Sequence, residues 1–444
     1  MHESRESEKG GPCDGVDTET SQSVQCWCDR AGRRPRRVRA WFRVPPLGLK
    51  TGLQIMKQAL VLLLLIVAAS LCGATPTAFA RDATPTIRGY TTVVPLRKVS
   101  HEQVMNAVQS GATVPMWSYQ ITSPLDGMSY SGTMIGSSPF FNGLRTTSLP
   151  VVLVPLIIVM PDGGTFDPTV VDSCSLSNTI TPLGQVQGSP VFQPAFFSMN
   201  GISLGTGLYS DEFQRANFYS ANVSATGNSY HTVLSPITTI AAQTIHIPTN
   251  EGATYDIGCG GRLGVMDFAT FDSIVTGTLI PALASQNVNP TSFPIFLMHN
   301  VVMADPGTSL DSNCCILGYH GAFGNPVQVY APVDYDSSEV FVNPDISVLS
   351  HEVDETMDDP LGTNPTPAWG HVGQVLDGCQ NNLEVGDPLT GVSFPSVRMP
   401  NNLTYHPQEL AFFSWFFRQN PSIGAGGKYS DNGTFQTGAG PVCQ

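Results

Sequence analysis

The chain has 444 residues, of which 13% are charged, and a formal net charge of −14. Eleven of the 21 Lys and Arg and seven of the 35 Asp and Glu fall in 1–80, so 81–444 carries 10 against 28, a balance near −18. Such a surface, with no lysine between Lys98 and Lys428, excludes nucleic acid and anionic lipid as partners. The length allows two domains or one large one, and 43 Gly with 35 Pro predict short strands joined by many ordered loops.

Residues 1–55 hold the arginine-rich run RAGRRPRRVRAWFR and no periodic apolar pattern. They read as an over-extended start, unstructured, with Met56 as the initiator. From Met56 the chain runs MKQALVLLLLIVAASLCGATPTAFA. A basic start, an apolar run and a small-x-small site at Ala78-Phe79-Ala80 give the order of a secretory signal, so 56–80 is expected to be removed on export. The apolar run is shorter than the ~20 residues that span a bilayer. The remainder is therefore expected to be secreted, extracellular or periplasmic, with no membrane contact. Its six cysteines (Cys174, Cys259, Cys314, Cys315, Cys379 and Cys443) suggest up to three disulfides in that setting.

Along this part, VVLVPLIIVMPDG (151–163) predicts a buried strand ending in a turn, and TVLSPITTIAAQTIHIP (232–248) predicts further strands. Gly201-Ile-Ser203-Leu-Gly205 matches a nucleophile-elbow pattern. In a chain this rich in Gly and Ser the match arises by chance roughly 0.3 times, so a Gly-rich turn is the better account. SDEFQRANFYS (210–220) opens with a Ser cap and acidic residues, as helix starts do. The spacing of Phe268, Phe271, Ile274, Val275 and Leu279 predicts a helix within 266–284, and FPIFLMHNVVMA (293–304) predicts one buried strand containing His299, a core or supporting residue. NPDISVLSHEVDETM (343–357) then predicts a helix: Asn343 can cap it, Pro344 suits its first position and Pro360 stops it. His406 leads into an aromatic segment read as core packing. A boundary near 250 would divide the chain into a β-rich lobe, 81–250, and a lobe with the motif helix 343–358, 251–444.

That helix carries His-Glu-x-x-Glu at 351–355, expected by chance about 0.007 times in this composition. Residues four apart share a helix face, so His351 and Glu355 can grip one cation, while Glu352 lies beside the open coordination position and could take a proton from bound water. Glu384 is the first choice for a third ligand. Asp358, His371 and Asp387 are reserves, and His320, five residues after Cys315, is a weaker candidate. Asp358 and Asp359 sit at the helix end, where the macrodipole disfavours negative charge, and a bound cation would relieve them. Two glutamates and one histidine acidify water less than two histidines and one glutamate, and oxygen ligands admit calcium or manganese beside zinc. The rival to a metal site is a solvated acidic helix.

HEVDETMDDP, followed by Trp369, Cys379 and LEVGDP, resembles the His-Glu-x-x-Glu-x-x-x-(Asp/Asn)-Pro segment of secreted microbial zincin-like metallopeptidases, distantly similar to plant Exordium (phosphate-induced) proteins. SDEFQRANFY and CCILGYH are also similar. The resemblance covers 205–420 and is most specific at 348–387. It implies a zincin-like α+β fold, in which a mixed sheet carries an active-site helix with His351 and Glu355 as ligands, Glu352 as base and Glu384 at a downstream acidic position. The expectation is an exported zinc hydrolase acting on polypeptide. The alternative is a non-catalytic cell-surface protein with a structural calcium or no metal.

Overall fold

The computed structural model describes residues 89–140, 145–225, 229–305, 314–373, 378–441 and 443. The expected signal segment 56–80 and the stretch 1–55 lie outside the described residues. The rest is α+β: helices pack on a mixed sheet of eleven strands. None of the described helices is long and apolar enough to cross a membrane.

In chain order the strands are β1 (Tyr90–Val94), the hairpin β2 (Met116–Thr122) and β3 (Ser129–Ile135), β4 (Thr146–Val159), β5 (Thr165–Phe166), the hairpin β6 (Ala195–Met199) and β7 (Ile202–Gly207), β8 (His231–Thr239) and β9 (Gln243–His246). There follow β10 (Gly252–Tyr255), β11 (Leu263–Asp267), β12 (Phe293–His299), β13 (Val301–Ala304), β14 (Cys314–Phe323) and β15 (Gln328–Tyr335), then the small pairs β16 (Pro365–Gly370) with β17 (Cys379–Asn382) and β18 (Val397–Arg398) with β19 (Thr404–Tyr405). The main sheet runs β10-β11-β13-β14-β15-β12-β4-β5, with β1 added beside β14 and β8 and β9 beside β4. Strands from both sides of residue 250 share this one sheet, β4 pairing in parallel with β12.

β4 is the expected buried strand, extended back to Thr146. Pro150 sits in it where the pairing with β8 slips by a residue, a place where a missing N–H costs no ladder bond. The apolar run 293–304 is two strands rather than one. Asn300, with φ 53, ends β12 between β15 and β4 and starts β13 between β14 and β11. Asn200 and Gly201, with φ 53 and 78, form the tight turn between β6 and β7, which accounts for the Gly-x-Ser-x-Gly match. Among the described residues no histidine is bonded to Ser203, which lies in β7 opposite Ser198.

The motif helix spans Ser347–Asp358 and packs on β14, β15, β3 and the helix Tyr209–Asn217. It starts later than Asn343 because Asp345, with φ 36, interrupts helical geometry. All twelve of its residues are buried, so the solvated acidic helix is excluded. Val348, Leu349, Val353 and Met357 join the main apolar core. The Tyr209–Asn217 helix begins one residue before its expected Ser210 cap: Ser210 Oγ instead donates to Asp354 Oδ2 at 3.1 Å, tying the two helices together. The six cysteines among the described residues are all disulfide-bonded, as Cys174–Cys259, Cys314–Cys315 and Cys379–Cys443, which fits an oxidising compartment.

Candidate metal centre

Three pieces of backbone meet the motif helix. The first is β14. A side chain at Gly318 would strike Val348 Cγ1 at 2.6 Å and Glu352 Cγ at 3.0 Å, so glycine lets the helix lie close to the sheet here. Two residues on, His320 shares that face, while Tyr319 points the other way and packs edge-on against Phe268. The second piece is β1, whose Thr91 pairs with Gly318 and so reaches the same face. The third is 383–387, pinned by Leu383 N–H to Asn364 O at 3.0 Å and Ala411 N–H to Val385 O at 2.8 Å. Leu383 and Val385 enter an aromatic core with Trp369 and Trp415, and the alternation turns Glu384 toward His320.

The side chains converge on Glu355. Its Oε1 lies 3.0 Å from His351 Nε2 and accepts the N–H groups of Gly386 (3.0 Å) and Asp387 (3.2 Å). Its Oε2 lies 3.6 Å from His320 Nδ1. His320 Nδ1 is also 3.3 Å from Glu352 Oε2, and its Nε2 is 3.7 Å from Glu384 Oε2. Asp387 Oδ1 lies 3.3 Å from His351 Nε2 and accepts the Thr91 hydroxyl at 2.7 Å. Two sets of donor atoms lie close enough to hold an ion, every atom within 4.8 Å of its fellows: His320, Glu355 and Glu384, and His351, Glu352 and Glu355. The expected ligands His351, Glu355 and Glu384 are thus divided between two sets that share Glu355, and His320 stands beside them.

The reserves separate. Asp387 touches His351. His371 bonds the Asp387 carbonyl through Nδ1 at 3.0 Å, its Nε2 buried without a partner. Asp358 does not reach the cluster: it accepts Gln214 Nε2 at 2.7 Å and Asn217 Nδ2 at 3.3 Å from the neighbouring helix. Asp359 accepts the N–H groups of Thr363 and Asn364 at 2.9 Å. Amide donors therefore serve the acidic helix end, where a cation was expected. His299 is bonded to Asp172 (3.1 Å) and Ser337 (3.0 Å) instead, and His406 to Asp345 (2.7 Å).

His320, His351, Glu352, Glu355 and Glu384 are each at most 1% exposed. Burial alone would lower the pKa of His351, but Glu355, Asp387 and Glu352 outweigh it and raise it well above the ordinary value. Burial would raise Glu355, but both histidines hold it well below the usual carboxylate range. Burial pushes Glu352 up to about 7 against the His320 contact, and burial with the Glu355 charge raises Glu384 well above its ordinary value. Glu352 Oε1 and Glu384 Oε2 are buried with no hydrogen-bond partner. Among the described residues, no Lys or Arg pairs with any carboxylate of the cluster. Orphaned oxygens, excess negative charge and two imidazoles suit a divalent cation.

Two supporting residues carried no signal in the sequence, Thr91 and Gln408. Gln408 Oε1 lies 3.1 Å from His351 Nδ1, and its amide donates to Gly386 O at 2.7 Å, which fixes the side chain's orientation. One step further out, the Tyr209 hydroxyl lies 2.7 Å from Gln408 O and 2.9 Å from Asp431 Oδ2. The phenol donates toward both oxygens and has one proton to share between them. Burial, with Glu409 adding, pushes Asp431 up to about 7. The folded chain then keeps a proton that the unfolded chain loses at a pKa of about 3.9. The stability this gives is intact below that value and is lost as pH climbs through about 7. Asp431→Asn donates at every pH. It is expected to match the wild type near pH ~4 and to exceed it by up to about 4 kcal/mol at pH ~8, read from urea midpoints.

No family model, no curated protein and no solved structure matches the chain.

Proposed function

We propose that this is an exported protein whose fold is completed by a divalent cation held at Glu355 beneath the motif helix. The observation that carries this reading is the burial of the whole donor cluster with more carboxylates than cations. A hydrolytic metal keeps an open position facing substrate, whereas these side chains are at most 1% exposed. A structural site is closed. Imidazole with carboxylate favours zinc or manganese over calcium, which prefers an all-oxygen cage. The zincin-like resemblance supports a metal on this helix and rests on the motif residues. Stripping metal with a chelator is expected to lower the melting temperature by about 3–4 °C, the size of a ligand held at ~100 times its Kd in a chain of this length. Re-addition of zinc or manganese restores it. An unchanged melting temperature in metal-loaded and stripped protein would overturn the proposal.

A second reading, a hydrolase in a closed state, draws on the unpartnered Glu352 Oε1 and on Thr91, whose Oγ1 lies 2.9 Å from His351 Nε2 on a strand added beside β14. Moving β1 would bare the cation with Glu352 beside it as base. The expected outcome on this reading is cleavage of unfolded polypeptide by the wild type and none by Glu352→Ala. Equal activity of the two removes Glu352 as the base.

A further inference from the structure

We propose that the cluster holds two divalent cations bridged by the Glu355 carboxylate. This deepens the reading above and rests on it. The first ground is that the two oxygens of Glu355 face different histidines, Oε1 toward His351 Nε2 at 3.0 Å and Oε2 toward His320 Nδ1 at 3.6 Å. A carboxylate so placed can give one oxygen to each of two ions.

The second ground is the state of the imidazoles. His351 turns Nδ1 to Gln408 Oε1 at 3.1 Å, and His320 turns Nε2 to the Asp359 carbonyl at 3.1 Å. Both oxygens only accept, so each of these ring nitrogens carries a proton. When a cation binds, the N–H committed outward leaves the other ring nitrogen to serve as the ligand, and on both rings that nitrogen faces Glu355. Such outward bonds are how proteins orient metal-binding histidines.

Charge is the third ground. Glu352, Glu355, Glu384 and Asp387 surround the two rings, and no Lys or Arg among the described residues is paired with them. With all four ionised as ligands, one divalent ion leaves two buried negative charges uncompensated, at a cost of several kcal/mol each; two ions balance all four. Glu384 and Glu352, each with one buried, unpartnered oxygen, fall one in each of the two donor sets. Glu352 is then a ligand rather than a base. Mixed nitrogen and oxygen donors point to manganese, iron or zinc.

The test is to load the purified protein with manganese, desalt it, and measure metal per chain by mass spectrometry beside its electron paramagnetic resonance spectrum. The inference expects two manganese ions per chain with an exchange-coupled spectrum. His320→Ala and His351→Ala, with folding checked by circular dichroism, are each expected to hold one ion with an uncoupled six-line signal. One ion per wild-type chain, uncoupled, overturns the bridge and leaves the single-cation reading standing; no ion overturns both. Two ions retained in Glu355→Gln would place the metals elsewhere and overturn the bridge as well. The wild-type count decides the matter even if a histidine variant fails to fold.

Discussion

Glu355→Ala is expected to abolish metal binding and to cost about 3–5 kcal/mol, the range for breaking a buried charged network by removing one member. Truncation leaves the N–H groups of Gly386 and Asp387 without their acceptor. It also leaves His351 and His320, whose pKa values Glu355 raises, buried without that partner. Glu355→Gln separates these effects. Its amide oxygen can still accept the two N–H groups at nearly unchanged volume, so it is expected to recover most of the stability but not the metal. Denaturant midpoints and metal content of the two variants, side by side, check this. Equal losses of stability would mean that charge, rather than the N–H acceptor, supports the 384–387 segment.

The second large effect is expected at Gly386. Its φ of −87° suits any residue, so the objection to a side chain is steric. A Cβ there would lie 2.4 Å from His351 Nδ1, 2.5 Å from Cε1 and 2.6 Å from Cγ. The ring cannot retreat freely, because Gln408 holds one nitrogen and Glu355 with Thr91 faces the other. Gly386→Ala should therefore cost about 1–3 kcal/mol by overpacking. Displacing the ring should weaken metal binding about 10–100-fold, as loss of an orienting contact does elsewhere. Titration calorimetry with zinc on folded variant protein measures it, and an affinity equal to wild type would show that His351 is not a ligand.

The motif helix, the strands of 151–163 and 232–248 and the pool of cysteines were legible because each rests on local chemistry: helical spacing closed by Pro360, β-branched runs, and an even cysteine number. The composition of the site was legible only in part. His320 looked weak because β14 is buried on nearly its whole length, which removes the alternation that would mark one face as special. Asp358 looked like a ligand because it lies in the motif, yet its partners Gln214 and Asn217 come from a helix more than a hundred residues away. Thr91 and Gln408 belong to residue types with no metal signature, and only the sheet register and the fold of the C-terminal segment bring them in. The helix starts later than Asn343 and Pro344 suggest because Asp345 takes a positive φ, which Asp tolerates but which its neighbours do not announce.

Anomalous diffraction would locate metal at Glu355 inside the folded protein. Crystals grown with manganese or zinc, with data collected on both sides of the absorption edge, should show anomalous density between the Glu355 carboxylate and His351 or His320. Crystals with no anomalous peak there at saturating metal, His351 still resting directly on Glu355, would contradict the proposed cation site.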